Sequence, residues 1–305
     1  MQLTQPGILA PLPAAGRYVF FTAQGDAAAL RTALGQLRPL ADGANTVVAI
    51  GSQLAQALDA DIPGLRAFPA LQGVAPAVSV STPASLCLWL RGTERGDLLL
   101  RTRTLAQHLA PGFALTQAVD AFRHGHGPNG YGRDLTGYED GTENPVDADA
   151  EAAGCLRCDT LGLHGSSYLA LQQWEHSMPA FHALPPEARD NAIGRRQRDN
   201  EELDDAPASA HVKRTAQESF TPEAFVVRRS MPWWNTTAQG QDHMGLMFAA
   251  FGHSLDAFEA QWRRMLGLDD GIADALFQFS TPLTGSYYWC PPLHQGQVDL
   301  RLLGV

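Results

Sequence analysis

The stretch Leu135-Thr136-Gly137-Tyr138-Glu139-Asp140-Gly141-Thr142-Glu143-Asn144-Pro145 decides how this chain divides. Two glycines, two glutamates, an aspartate and a proline fall within eleven residues. Glycine reaches backbone angles that a side chain forbids, so this is a shaped loop and neither strand nor helix. Asp140 stands beside Gly141, where the backbone can approach another body closely. A short G-x-x-D-G pattern recurs by chance, so its meaning rests on what flanks it.

Upstream of the loop the elements alternate. Residues 17–22 (RYVFFT) read as a strand from their aromatic and β-branched content. Asp26 caps a helix with leucines at 30, 34, 37 and 40. Residues 45–50 (NTVVAI) form a second strand, 52–58 a short helix, and 60–84, rich in proline, a long loop. Residues 85–91 (SLCLWLR) form a third strand, Thr93 caps the next helix, and 113–122 form a fourth strand. Residues 1–15 read as an extended arm. The order is βαββαβ, the ferredoxin-like arrangement.

Downstream the order recurs. Strands are expected at 166–174, 224–229, 244–250 and 285–290, with a helical stretch at 178–192 broken by Pro185-Pro186. Ser254 caps a helix whose Leu255, Phe258, Trp262 and Leu266 form one apolar stripe. The expected fold is therefore α+β: two ferredoxin-like βαββαβ halves, 1–145 and 146–305, with the Asp140 loop closing the first. No sequence identity links the halves, so the duplication rests on element order.

The composition is globular, with 45% hydrophobic and 18% charged residues. A formal charge of −10 argues against nucleic acid or anionic membrane as partner. No run of apolar residues is long enough for a membrane span, and the N-terminus has no secretory pattern, so a cytoplasmic location is expected. Cys155 and Cys158 form a lone C-x-x-C without further zinc ligands, and the four cysteines are expected as free thiols.

Three residue types point to chemistry. His211 follows Ala206-Pro207-Ala208-Ser209-Ala210, small neighbours that leave room beside the imidazole. Arg228 and Arg229 end an apolar strand, and alternation sends them to opposite faces. In the charged run 187–205, Arg195 and Arg196 follow the apolar Ala192-Ile193 and could bind carboxylates. The pair His124 and His126 lacks a third metal ligand and reads as a loop. An imidazole, a loop carboxylate and a strand-end guanidinium together suit a haem peroxidase, because peroxide must lose a proton from one oxygen and gain one on the other.

GYEDGTENP at 137–145 resembles the signature loop of the dye-decolourising peroxidases. So do SAHVKR around His211, VVRRSMP around Arg228, IGRR at 193–196 and MGLMFAAFGHSLDAFE at 244–259. The likeness runs from about residue 15 to 300, and the compact length is similar to the bacterial B-type branch. It implies haem b held mainly by the C-terminal half, with His211 as proximal iron ligand. It implies Asp140 as distal acid–base residue, Arg228 as distal charge and Ser230 as a holder of distal water or peroxide. Arg195 would meet a haem propionate, with Gly141, Thr142 and Glu143 also touching the cofactor. Glu202 and Asp274 would bond the far nitrogen of His211. The activity implied is hydrogen-peroxide-dependent oxidation of dyes, phenols and other one-electron donors through a ferryl (Compound I) intermediate. The alternative is a haem-handling, deferrochelatase-like protein with incidental peroxidase activity. The resemblance also implies a homo-oligomer, dimer to hexamer. The chain stops soon after its last strand, which argues against direct cargo loading into an encapsulin shell. The segment from Glu202 to His211 is shorter than the family pattern, and Trp233-Trp234 and Gln278 depart from it.

Overall fold

Strand-forming residues alternate faces, and in this chain both faces are used. The computed structural model describes residues 3–305. Its first half runs α1 (Pro6–Leu9), β1 (Ala15–Ala23), α2 (Ala27–Leu37), β2 (Thr46–Gly51), α3 (Ser52–Ala57), β3 (Leu86–Gly92), α4 (Arg95–Leu109) and β4 (Phe113–Phe122). The second runs α5 (Asp147–Gly154), β5 (Ser167–His176), α6 (Met178–Ala183), α7 (Pro186–Ile193), α8 (His211–Arg214), β6 (Val227–Arg228), β7 (Met231–Thr236), β8 (Asp242–Gly252), α9 (Asp256–Met265), β9 (Ser280–Pro282) and β10 (Ser286–Cys290).

The first four strands lie in the order β4-β1-β3-β2, all antiparallel. The second set lies as β10-β5-β8-β7, the same relative order. Each is the ferredoxin-like sheet expected from the element order. The two sheets join edge to edge, β4 to β7 through Ala121 and Trp233, and β2 to β10 through Gly51–Tyr288 and Ile50–Trp289. Because β8 pairs with both β5 and β7, the strands close into a barrel. Strands β6 and β7 pair with β8 in one continuous register, Arg228 opposite Ala250 and Met231 opposite Met247.

Period-two alternation sorts the side chains. One face packs inside the barrel: Tyr18, Trp89, Leu169, Leu171, Met231, Met247, Phe251 and Tyr288 are all buried there. Tyr18 stacks on Trp89 at 5.8 Å between centroids, and Trp89 on Phe251 at 6.1 Å. The other face carries a second core beneath the helices, with Leu30, Leu34, Leu105, Phe258 and Trp262. No helix is long and apolar enough to cross a membrane among the described residues.

Three local expectations differ from the structure. The N-terminal arm is not extended throughout: Pro at the first helical position starts α1, Ile8 is fully buried, and Gln5 bonds Val48 through both main-chain groups. Thr93 does not cap α4; the N-cap is Glu94, with no side-chain bond. The N-cap of α9 is Leu255, while the Ser254 hydroxyl accepts from Asp256 N at 3.2 Å. By contrast, Asp26 caps α2 by accepting from Ala29 N at 2.9 Å.

Candidate active site

The outer face of the second sheet turns Gln172, Trp174 and His176 of β5, Leu246 and Phe248 of β8, and Arg228 of β6 towards α8 and α9. Between these layers lies a cavity with Phe258, Gln261 and Met265 of α9 on its far wall. Its lining is mostly apolar. A second cavity carries charged groups, Glu143, Arg195, Glu202 and Glu218 among them. Four residues border both: Asp140, His211, Thr215 and Arg228.

His211 opens α8, a single turn anchored at its far end. Arg214 donates to Asp270 at 2.6 and 2.8 Å and to the carbonyl of Arg264. The Nδ1 of His211 lies 2.8 Å from Oδ2 of Asp274, whose carboxylate is wholly buried. The other oxygen of Asp274 accepts from Leu276 N at 2.8 Å. With Asp274 as an ionised acceptor, Nδ1 carries the proton and Nε2 is left with a lone pair. Among the described residues that nitrogen has no partner, and the ring borders the cavities.

Asp140 approaches Arg228 to 4.0 Å, Oδ1 to Nε. The loop bearing Asp140 is fastened by amide side chains that the sequence did not single out. Asn144 accepts from Arg228 N at 2.7 Å and donates to Arg228 O at 3.1 Å. It therefore closes a ring on the very residue whose guanidinium Asp140 faces. Gln217 donates to Glu143 O at 2.8 Å, Gln197 to Thr136 O at 2.7 Å, and Asn200 to the Thr142 hydroxyl at 2.9 Å. Gly137 and Gly141 have φ of 90° and 88°, where side chains are strained. A Cβ on Gly137 would stand 2.6 Å from the Gln197 amide nitrogen. The only sequence signal for these clamps is the preference of Asn and Gln for backbone partners in loops.

The remaining expected residues fall as follows. Gly141, Thr142 and Glu143 line the charged cavity with Arg195. Arg195 donates to Glu143 at 2.7 Å, to Glu202 at 3.0 Å and to Asn200 O at 3.1 Å. Glu202 is thus bonded to Arg195 and not to His211, a correction to its expected place. The antiparallel bridge between Arg195 and Glu202 fixes this pairing, and Asp274 already fills the position on Nδ1. Ser230 is buried with no partner for its hydroxyl and borders neither cavity; it lines a third, with Asp140 and Arg228. Arg229, on the opposite face from Arg228, donates to Leu9 O at 2.7 Å, and burial with the nearby Arg91 charge lowers its pKa to about 10. Cys155 and Cys158 are free thiols.

The sequence pattern described as Dyp-type peroxidase, C-terminal, matches residues 131–295. The chain belongs to the Dyp-type peroxidase family. A dye-decolorizing peroxidase of Rhodococcus erythropolis is 32% identical over 207 residues, a match that spans 64% of this chain and 60% of that relative. The dye-decolorizing protein from V. cholerae superposes with a TM-score of 0.83 at 27% identity, covering 98% of each chain. An arginine-to-leucine variant of DypB from Rhodococcus jostii, solved in complex with heme, shares the fold at a TM-score of 0.80, 23% identity and coverage of 93% of this chain and 94% of that one. The family match takes in Asp140, Arg195, His211, Arg228 and Asp274, and the whole-chain superposition takes in both halves of the barrel.

Proposed function

We propose that this chain is a haem-dependent peroxidase that uses hydrogen peroxide to oxidise dyes, phenols and other small one-electron donors. The observation that carries the reading is His211, which borders a two-lobed cavity with Asp140 and Arg228 and whose Nδ1 is held by a buried carboxylate. The donor set fits haem b. Among the described residues no group of three His, Cys, Asp or Glu could hold a bare metal ion. One imidazole suffices only for a metal that arrives with its other ligands. An apolar lobe beside a charged one suits a macrocycle with one greasy and one carboxylate edge, as does the heme reported for DypB.

His211 would hold the iron through Nε2. Asp274 fixes the tautomer and makes the ring a stronger donor. Bound haem supplies the iron at which peroxide binds and its O–O bond is split. Asp140 would hold or move a proton on the side of the group away from His211. Arg228 would offset negative charge on that same side. Ser230, with its free buried hydroxyl, would steady peroxide or water on the approach. Arg195 would meet a propionate, exchanging part of its bonding to Glu143 and Glu202.

The test is the visible spectrum and stopped-flow reactivity of haem-loaded protein. Arg228→Ala is expected to slow the reaction with peroxide by about 100-fold or more, and Asp140→Ala by about 100-fold. His211→Ala is expected to lose the histidine-ligated spectrum. Wild-type rates with peroxide in both distal variants would end these assignments. Transfer of haem to an acceptor apoprotein without dye turnover would favour the haem-handling alternative.

A further inference from the structure

A cavity shares Asp140, Gly141 and Arg228 with the candidate site and runs from them to the segment 123–134. The wall at that end is RHGHGPNGYGR, 123–133, a stretch the peroxide chemistry leaves unused. Arg123, His124 and His126 are exposed, Tyr131 is 41% exposed, and Arg133 is half-buried; all five line the cavity. Arg133 is fixed in place by its neighbours. Its N–H donates to His124 O at 2.9 Å, and Gly132 O next to it accepts from Asp140 N at 2.9 Å.

Among the described residues no acid forms an ion pair with these cations; Glu139, opposite Arg133 in an antiparallel bridge, gives one oxygen to Asn129 N at 2.7 Å. Among the described residues neither Arg123 nor Arg133 has a side-chain hydrogen bond or an ion pair, and the Arg133 Nε is buried without a partner. Two of the three carboxylates along the same cavity are engaged by other groups. Asp134 is 3.2 Å from His176 and accepts from the Thr136 hydroxyl at 2.7 Å. Asp140 faces Arg228, and Asp147 lies in the first turn of α5, where a helix favours an acid. A half-buried guanidinium without a counter-ion is costly, and an anionic ligand removes that cost. A chain of net charge −10 that keeps unpaired arginines at one opening presents a local field against its own average. Tyr131 adds an accessible aromatic face.

We propose that this cavity binds a small aromatic carboxylate, its carboxylate on Arg133 and Arg123 and its ring against Tyr131, and that such a phenolic acid is a preferred electron donor. The second clause rests on the peroxidase reading; the binding does not. The overall reaction balances as H2O2 + 2 ArOH → 2 H2O + 2 ArO•. Each phenol gives one electron and one proton, and its carboxylate is unchanged.

The experiment compares 4-hydroxycinnamate with the uncharged 4-hydroxycinnamyl alcohol as donors for the haem-loaded full chain. It also measures binding of cinnamate, which lacks the oxidisable hydroxyl, by titration calorimetry. The acid is expected to show a KM about tenfold below that of the alcohol, the scale of one charge-assisted bond. Arg133→Gln should raise the KM of the acid, and weaken cinnamate, by about tenfold while leaving the alcohol unchanged. Added salt should do the same to the unaltered protein, a readout independent of any folding defect in the variant. Equal KM for acid and alcohol, without salt dependence and with cinnamate bound no better by wild type than by Arg133→Gln, overturns the site. Arg133-dependent cinnamate binding with no turnover of either donor upholds the site and overturns the peroxidase reading instead.

Discussion

The His211 imidazole is held by a carboxylate 63 positions along the chain. Asp274 serves two groups at once, the imidazole Nδ1–H and the Leu276 N–H. Asp274→Ala is therefore expected to lower haem affinity by about 10- to 100-fold in a haem titration and to cost about 1 kcal/mol in denaturant unfolding as a lost cap. Asp134 makes a different kind of prediction. Burial works against its charge, but the His176 charge and the bonds from His176 and Thr136 win, and its pKa falls from 3.8 to about 2. A carboxyl lowered on folding adds stability above its unfolded pKa, and that gain fades as pH falls through the folded value. Asp134→Asn should therefore flatten the loss of stability between about pH 4 and pH 2, read by urea unfolding across pH. The candidate residues His211, Asp140 and Arg228 stood out in the sequence as a histidine after small residues, an aspartate in a glycine-bearing loop and an arginine ending an apolar strand. Glu202 did not separate from its charged surroundings, and only the bridge to Arg195 gives its place.

Among the elements, the loop 135–145 and the strand β6 behave as one piece because Asn144 bonds both main-chain groups of Arg228. Asn144→Ala is expected to cost about 1–3 kcal/mol, the range for a lost hydrogen-bonded polar pair. It should also slow the reaction with peroxide although Asp140 and Arg228 remain, a combination that stopped-flow and unfolding data together would reveal. Gly137→Ala should destabilise by about 1–3 kcal/mol, since its φ of 90° suits no side chain and its Cβ would meet Gln197. The strands β1 to β5, β8 and β10 were readable from β-branched and aromatic runs, with ends displaced by a residue or two. Strand β7 was not, because Pro232 within it argues against a strand; an edge-to-edge seam with β4, where ladder bonds are few, tolerates it. The clamps made by Asn144, Gln197, Asn200 and Gln217 were not readable either. Their partners are backbone groups or hydroxyls on other segments, and no local pattern marks them.

In the molecule as a whole, the two halves suggested by element order form one closed sheet. The seams between them are thin, one residue pair at β4–β7 and two at β2–β10, but the barrel interior draws large side chains from both halves. Heat or denaturant is therefore expected to unfold the chain in one cooperative transition. The pieces 1–145 and 146–305, expressed apart, should be insoluble, because each would leave two strand edges and an apolar face uncovered. Two separate transitions in calorimetry, or a soluble folded half, would contradict this. Since large rings fill the barrel's interior and the apolar and charged cavities at His211 lie against its outside, the part of the protein proposed to take a ligand is a cladding laid over a finished frame. Substitutions in the 123–134 segment are thus expected to alter what is accepted without reopening the staves, so related chains should diverge more there than in their inward-facing side chains.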